Sequence, residues 1–391
     1  MHENLLIIHG GAPTAVMNAS LYGVIKQAKD SGVCRHVYAA RGGTQAVLTE
    51  DFIDLLTIDE QTIAQLPHTP ASWIGTSRFH VSDDDYAKMV EVLLECNITG
   101  VFFNGGNGSM DACGKLARAI KAHPIARSKG IRVVGIPKTI DNDLAITDHA
   151  PGFGSAARYL ASSVQELSQD VASLPIHVCI IESMGRNAGW LTAAAALAKT
   201  EERVGPHLIY VPEVAFDEER FLDEARSLYE KHGGVVVVAS EGLRTTEGSP
   251  IVKPIFQVGR SVYYGDVSAH LCNLVIQKLG IKARSEKPGI LGRCSIAFQS
   301  EVDRDEAILA GREAVKALLE GKSEVMVGFE RINSEPYLCK TILIPLEQVM
   351  LHERTLPIQY VRDAGKIDEA YLAWCKPLIG SPLASFPKRE V

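Results

Sequence analysis

Three times in the N-terminal part of the chain, a run of apolar β-formers ends in a turn of glycines and small polar residues and passes into a helical pattern. The first is NLLII at 4–8 followed by HGGAPTAVMNASLYGVIKQAK, the second VFFNGGNGS at 101–109 followed by MDACGKLARAIKA, and the third IRVVGIPKTIDND at 131–143. Helical spacing after the first turn is carried by Val16, Leu21, Val24 and Ile25, and the segment before the second repeats it at Tyr86, Met89, Val90, Leu93 and Leu94. Strands joined through helices are parallel and cross over in the right-handed sense. All three turns therefore fall on one edge of a sheet, the carboxyl edge, where open α/β sheets bind their ligands. The plan continues through HVCIIESMGR at 177–186, HLIYVPE at 207–213 and GGVVVVASEG at 233–242, where Val235 to Val238 read as a strand buried on both faces.

Length and charge narrow the class. At 391 residues the chain has room for roughly two or three domains. A net charge of −7 with 22% charged residues gives no field that would hold nucleic acid or an anionic membrane, so any anion must be bound by local clusters. The eight cysteines are dispersed without a CxxC pair, as expected of free thiols in a reducing compartment. MHENLLIIHGG lacks the pattern of a signal peptide, and no apolar run approaches the roughly 20 residues of a membrane span. A cytoplasmic protein is the expectation.

The turns themselves carry chemistry suited to phosphate. Gly10 and Gly11 let the backbone approach a ligand, and the following helix offers unpaired N–H groups. Gly105, Gly106 and Gly108 surround Asn107 ahead of Ser109, in a spacing that is neither GxxxxGK[ST] nor GxGxxG. Taken alone, these are a different phosphate cradle or a structural turn. The third strand ends in Lys138, Thr139, Asp141, Asn142 and Asp143, where a cation and two carboxylates meet. Arg78, beside Gly75 and Thr76, has the fork to grip two phosphate oxygens. Arg284 and Arg293 lie nine residues apart about a Pro-Gly turn, and Glu241 closes the VVVV strand.

GGNGS, PKTIDND, the GFGS helix entry at 152–155, MGRNAGWL at 184–191, SEG at 240–242 and PGILGR at 288–293 occur in an order and spacing that resemble the phosphofructokinase family, over roughly residues 4 to 310. The likeness is to its longer bacterial members, which include pyrophosphate-dependent enzymes. It implies two Rossmann-like α/β lobes with parallel sheets and the active site in the cleft between them. The expected lobes are 1–150 with roughly 281–330 for the phosphoryl donor and 151–280 for the sugar phosphate, with 331–391 as a C-terminal extension. By the same likeness Asp141 is the general base for the sugar 1-hydroxyl, beside Thr139, Ile140 and Asp143, and Lys138 joins the catalytic group. Met184, Gly185, Arg186 and Glu241 hold the sugar, with Arg186 also stabilising charge. Arg284 and Arg293 grip the 6-phosphate, Arg284 from a neighbouring subunit of a homodimer or homotetramer. Gly11, Arg78, Phe79, Gly106, Asn107, Gly108 and Ser109 match the donor site, with Asn107 on Mg²⁺.

Three positions depart from the family pattern. Asn107 stands where many members have Asp, His177 where many have an Arg toward the 6-phosphate, and Ile290 in place of a His that touches substrate. His177 reads as a strand histidine, while the pair leaves another sugar phosphate or polyol open as acceptor. Donor choice pulls two ways: Gly108 lacks the carboxylate that blocks the ATP α-phosphate, whereas Lys138 matches a lysine of pyrophosphate-dependent members that some ATP-dependent members also carry. The expectation leans to ATP as donor and fructose 6-phosphate as acceptor. Pyrophosphate as donor is the alternative, and a non-catalytic regulatory subunit is a further one that intact Asp141, Arg186, Glu241, Arg284 and Arg293 oppose.

Overall fold

The computed structural model describes residues 3–200, 205–258, 261–362 and 366–387. Its strands run β1 (Glu3–His9), β2 (Cys34–Ala40), β3 (Phe52–Asp54), β4 (Gly100–Gly105), β5 (Arg132–Pro137), β6 (Val178–Ser183), β7 (Leu208–Tyr210), β8 (Val235–Ser240), β9 (Pro254–Val258), β10 (Ser261–Tyr264), β11 (Ala283–Glu286), β12 (Val325–Ser334) and β13 (Tyr337–Pro345). The chain divides into two α/β units, one of Met1–Ser155 with Arg293–Arg354 and the other of Ala156–Gly292 with Thr355–Val391.

The first unit holds a seven-stranded sheet in the order β13-β12-β5-β4-β1-β2-β3. Pairing is parallel from β12 to β2 and antiparallel at both edges. Because alternate side chains leave opposite faces of a strand, each apolar run supplies two cores. Leu6, Ile8, Val101 and Phe103 pack with Met89, Leu93, Met110 and Leu116 on one face. Leu5, Ile7, Phe102 and Val134 pack with Leu21, Val24, Ala314 and Leu318 on the other. On that second face the helices Met17–Ser31 and Glu301–Leu319 approach through Gly23 and Gly311. A Cβ on Gly311 would stand 2.1 Å from the Ser20 carbonyl oxygen, so glycine here is a packing requirement.

The second unit has a four-stranded parallel sheet, β11-β6-β8-β7, and an antiparallel pair, β9 with β10. Val178, Ile180, Val235 and Val237 bury against Phe221, Ala225, Val267 and Leu271.

Residues 331–391, expected as a C-terminal extension, divide at Arg354 and Thr355 between the two units. β12 joins the first sheet beside β5, with Val325 opposite Val134 and Met326 opposite Gly135. Residues from Thr355 onward belong instead to the second unit, where buried Tyr371 donates its hydroxyl proton to the Trp190 carbonyl. Arg158 there donates to the Ile379 carbonyl at 2.8 Å. All eight cysteines are free, and no helix among the described residues is long and apolar enough to cross a membrane.

A buried charge network ties the β12–β13 hairpin to the rest of the first unit. His149 reaches Asp148 Oδ2 at 2.8 Å through Nδ1 and Glu306 Oε2 at 2.6 Å through Nε2. Tyr337 donates to the other Glu306 oxygen at 2.6 Å, and Arg331 Nη2 donates to Asp148 at 3.1 Å. His149, Glu306 and Cys339 bring metal-ligand atoms within 4.8 Å of one another, but both imidazole nitrogens are already spent on carboxylates. Burial lowers the proton affinity of His149, and Glu306 and Asp148 more than reverse this, lifting its pKa to about 9. A histidine raised in the folded state stabilises fully below the unfolded value of about 6.5 and loses that contribution as pH rises through about 9. The apparent Tm is therefore expected to fall between these pH values in wild type. In His149→Gln that component of the slope is absent, as thermal unfolding at stepped pH would read.

Candidate active site

Three neighbouring strand ends bring the predicted donor-side residues together. His9 of β1 pairs with Asn104 of β4, and Asn104 with Ile136 of β5. Gly10–Gly11, Gly105–Ser109 and Lys138–Asp143 consequently leave the sheet side by side at its carboxyl edge. The turns are stitched to one another: Gly10 N donates to the Asn104 carbonyl, Gly11 N to Ser77 and Lys138 N to Gly105, each at 3.0 Å. A Cβ on Gly10 would come 2.3 Å from Ser109 Oγ and one on Gly105 2.0 Å, so both glycines make room for that hydroxyl. Gly11 has a positive φ of 76°, a conformation that favours glycine. A Cβ on Gly108, by contrast, would meet nothing within 4 Å.

The side chains form an ordered polar set. Thr139 Oγ1 donates to Asp143 Oδ1 at 3.0 Å and accepts the Asp141 N–H at 3.0 Å. Asn107 Nδ2 donates to Asp143 Oδ2 at 2.8 Å. That fixes the amide orientation and leaves Asn107 Oδ1 buried with no hydrogen-bond partner. An orphaned carbonyl oxygen beside a carboxylate suits a hard divalent cation that keeps most of its other ligands as water and phosphate. The residues present therefore fit Mg²⁺.

Lys138 is only 3% exposed. Its ammonium donates to the carbonyls of Gly10 at 3.1 Å and Ala12 at 2.6 Å, which locks it beneath the first turn. Burial pushes its pKa down to about 8; Asp141 and Asp143 support the charge, and Arg293 and Arg78 oppose it. Arg293 is itself lowered by burial and by Arg78. Two guanidinium groups, an ammonium and two carboxylates thus share one electrostatic neighbourhood, which is suited to a ligand of high negative charge. Arg78 and Phe79 stand exposed at its rim, while Ile140 is buried. His9 was missed from the sequence. It is fully buried, hydrogen-bonded to Ser72 Oγ at 2.7 Å, and desolvation and then Lys138 drive its pKa to about 3, so it adds no competing charge. Its place as the last residue of an apolar strand was the available signal.

The second unit carries its own cluster at the ends of β6 and β8, where Ser183 pairs with Ser240. Glu241 N donates to the Ser183 carbonyl at 2.9 Å, and Ser240 Oγ donates to the Gly185 carbonyl at 2.9 Å. Met184, Gly185, Arg186 and Glu241 thus lie at adjacent strand ends. Gly185 has a φ of 111°, and Gly242 is required because a Cβ there would sit 1.7 Å from the Arg186 carbonyl oxygen. Burial raises the Glu241 pKa, against the pull of Arg186. Arg186 also donates to the Val262 carbonyl at 3.3 Å and lies over the Tyr264 ring, both on β10.

Arg284 is not part of that cluster. It pairs with Cys179 on the exposed β11 edge, four residues before Ser183, or about 13 Å along the strand. His177 is nearly buried, and burial and then Arg284 lower its pKa, leaving it neutral. Ile290 is 63% exposed.

Parallel sheets whose glycine-lined turns gather paired carboxylates and a buried lysine at one ligand edge suit phosphoryl-transfer chemistry. The phosphofructokinase family model matches residues 4–318, and the chain belongs to that family and is an enzyme of its class. A pyrophosphate–fructose 6-phosphate 1-phosphotransferase of Xanthomonas campestris pv. campestris (strain B100) is 37% identical over 400 residues, spanning 97% of this chain and 93% of its own. A sulfofructose kinase of Alkalicoccus urumqiensis is 33% identical over 378 residues, spanning 96% and 95%. The crystal structure of a pyrophosphate-dependent phosphofructokinase from Marinobacter aquaeolei superposes with a TM-score of 0.87 at 34% identity, covering 99% of this chain and 94% of that one. The leaning toward ATP drawn from Gly108 is not supported by these relatives, two of which are named for pyrophosphate.

Proposed function

We propose that the protein transfers a phosphoryl group from pyrophosphate to the 1-hydroxyl of fructose 6-phosphate, giving fructose 1,6-bisphosphate and orthophosphate. The observation that carries this reading is Lys138, a buried cation fixed under the Gly10–Ala12 turn and electrostatically coupled to Asp141. An ammonium so held can neutralise a small inorganic leaving group without a nucleotide to anchor it. Open space at Gly108 means that the donor is selected by these charges and not by exclusion.

In this reading Asp141 takes the proton of the 1-hydroxyl as its oxygen bonds to phosphorus and the bridging P–O bond of pyrophosphate breaks. Lys138 and Arg78 balance the charge on the transferred and departing groups, and Arg293, expected on the 6-phosphate, is coupled to Lys138, Arg78 and Asp141 and so joins them in this reading. Thr139 and Asp143 keep Asp141 oriented, and Asn107 Oδ1 would hold Mg²⁺, which supplies charge neutralisation on the phosphates. Met184, Gly185, Arg186 and Glu241 bind the sugar. The distance of Arg284 from these strand ends supports its serving the 6-phosphate in a second copy of the chain, in a homodimer or homotetramer.

A donor panel of pyrophosphate, ATP and ADP with fructose 6-phosphate and Mg²⁺ tests the proposal. Turnover is expected with pyrophosphate, and turnover with ATP alone would refute it. A second acceptor reading is favoured by His177, which is neutral beside Arg284 and so offers the 6-position one fixed charge fewer than an arginine would. A sulfonate carries one negative charge where a phosphate carries close to two, and a relative of similar length is named a sulfofructose kinase. Comparing kcat/KM for fructose 6-phosphate and 6-deoxy-6-sulfofructose decides between them.

A further inference from the structure

The family model ends at residue 318, yet the chain beyond it returns to the strand that carries Lys138 and Asp141. After β13 it passes through buried Leu346 and Val349 to Arg354, the last residue of the first unit. Glu353 forms an antiparallel bridge with Leu144, and Arg354 N donates to the Asp143 carbonyl at 2.8 Å. The guanidinium donates to the Asn142 carbonyl through Nε at 3.3 Å and Nη2 at 3.1 Å. It also donates to Thr147 and, at 3.0 Å, to Asp148.

The segment it holds would not keep this shape unaided. Asn142 and Ile146 both have positive φ, 53° and 69°, which costs energy in residues other than glycine. Three carbonyls point at one place, and the planar guanidinium fork serves them together. Asn142, fully buried, adds a second tie by accepting the Ala150 N–H at 3.1 Å.

We infer that Arg354 is a positioning residue for the phosphoryl-transfer reaction, holding the 142–148 segment so that Asp141 keeps its place. The inference rests on the reading of Asp141 as the base. Arg354 acts through the backbone, at the Asn142 and Asp143 carbonyls that follow Asp141. A displacement of about 1 Å in a catalytic group can cost about 100-fold in rate, so the expected effect lies in kcat and not in KM.

Arg354→Ala is expected to lower kcat by about 10- to 100-fold with both KM values within about threefold, and added guanidinium ion is expected to restore part of the rate. Arg354→Lys keeps the charge but not the fork, and is expected to fall between that variant and wild type. Leu346→Ala serves as the control, since it loosens the same returning segment without a bond to the loop. It is expected to keep kcat within about threefold of wild type despite a lower Tm. Wild-type kcat in Arg354→Lys, or equal kcat losses in Arg354→Ala and Leu346→Ala, would overturn the inference. Should Arg354→Ala not fold, the lysine variant and the control decide it. Activity persisting in Asp141→Asn would sink the underlying reading of the base, whatever Arg354 does.

Discussion

Asp141→Asn is expected to lower kcat by about 10²- to 10⁴-fold while leaving both KM values within a few-fold, because the amide keeps the shape of the carboxylate but cannot accept the proton. Its backbone N–H to Thr139 Oγ1 is untouched by the change, so the loop keeps that anchor. The neighbouring carboxylate, Asp143, is the poorer base, since both its oxygens are held by hydrogen bonds from Thr139 and Asn107. Steady-state kinetics with saturating pyrophosphate provide the measurement, and a kcat within about tenfold of wild type would remove Asp141 from the proposed role.

Lys138→Ala carries the second large expectation, a fall of about 10²- to 10³-fold in kcat/KM for pyrophosphate. Two effects add. The phosphates lose a cation, and the Gly10 and Ala12 carbonyls lose the donor that fixes the first turn. Arginine is not expected to rescue, since the ammonium already lies 3.6 Å from where a Cβ on Gly11 would be and there is little depth for a fork. The pH dependence has a definite sign. With its pKa pushed down to about 8, Lys138 is an ammonium below that value and neutral above it. The wild-type kcat/KM for pyrophosphate should therefore decline on the alkaline side of about pH 8, where the profile reports the free enzyme. A profile flat from about pH 7 to about pH 9.5 would contradict the assignment.

Gly108 and Lys138 illustrate how far sequence reasoning reached on the donor. Both residues were legible and each has a stated physical meaning, yet they pointed in opposite directions. Gly108 reports only the absence of a blocking group, and an absence does not select. Lys138 reports a charge, and its weight depends on burial and on what anchors it, which the string of letters does not contain. His9 was silent for the same reason: its neutrality comes from complete burial beside a cation.

Local chemistry was readable because it repeats locally. Runs such as LLII, VFF and VVGI, the glycine turns that follow them and the PKTIDND cluster determined a parallel α/β sheet, its ligand edge and the family, since strand and helix periods and turn residues act over a few positions. What only the tertiary structure decided depends on residues far apart in the chain. β12 docks beside β5 almost two hundred positions after it, as seen in Val325 opposite Val134. The stretch expected as one extension parts at Arg354 and Thr355 between two units, and Arg354 closes on the Asn142 carbonyl. Such pairings are selected by which buried faces and unsatisfied carbonyls remain once the local elements have formed, and no period in the sequence encodes that choice.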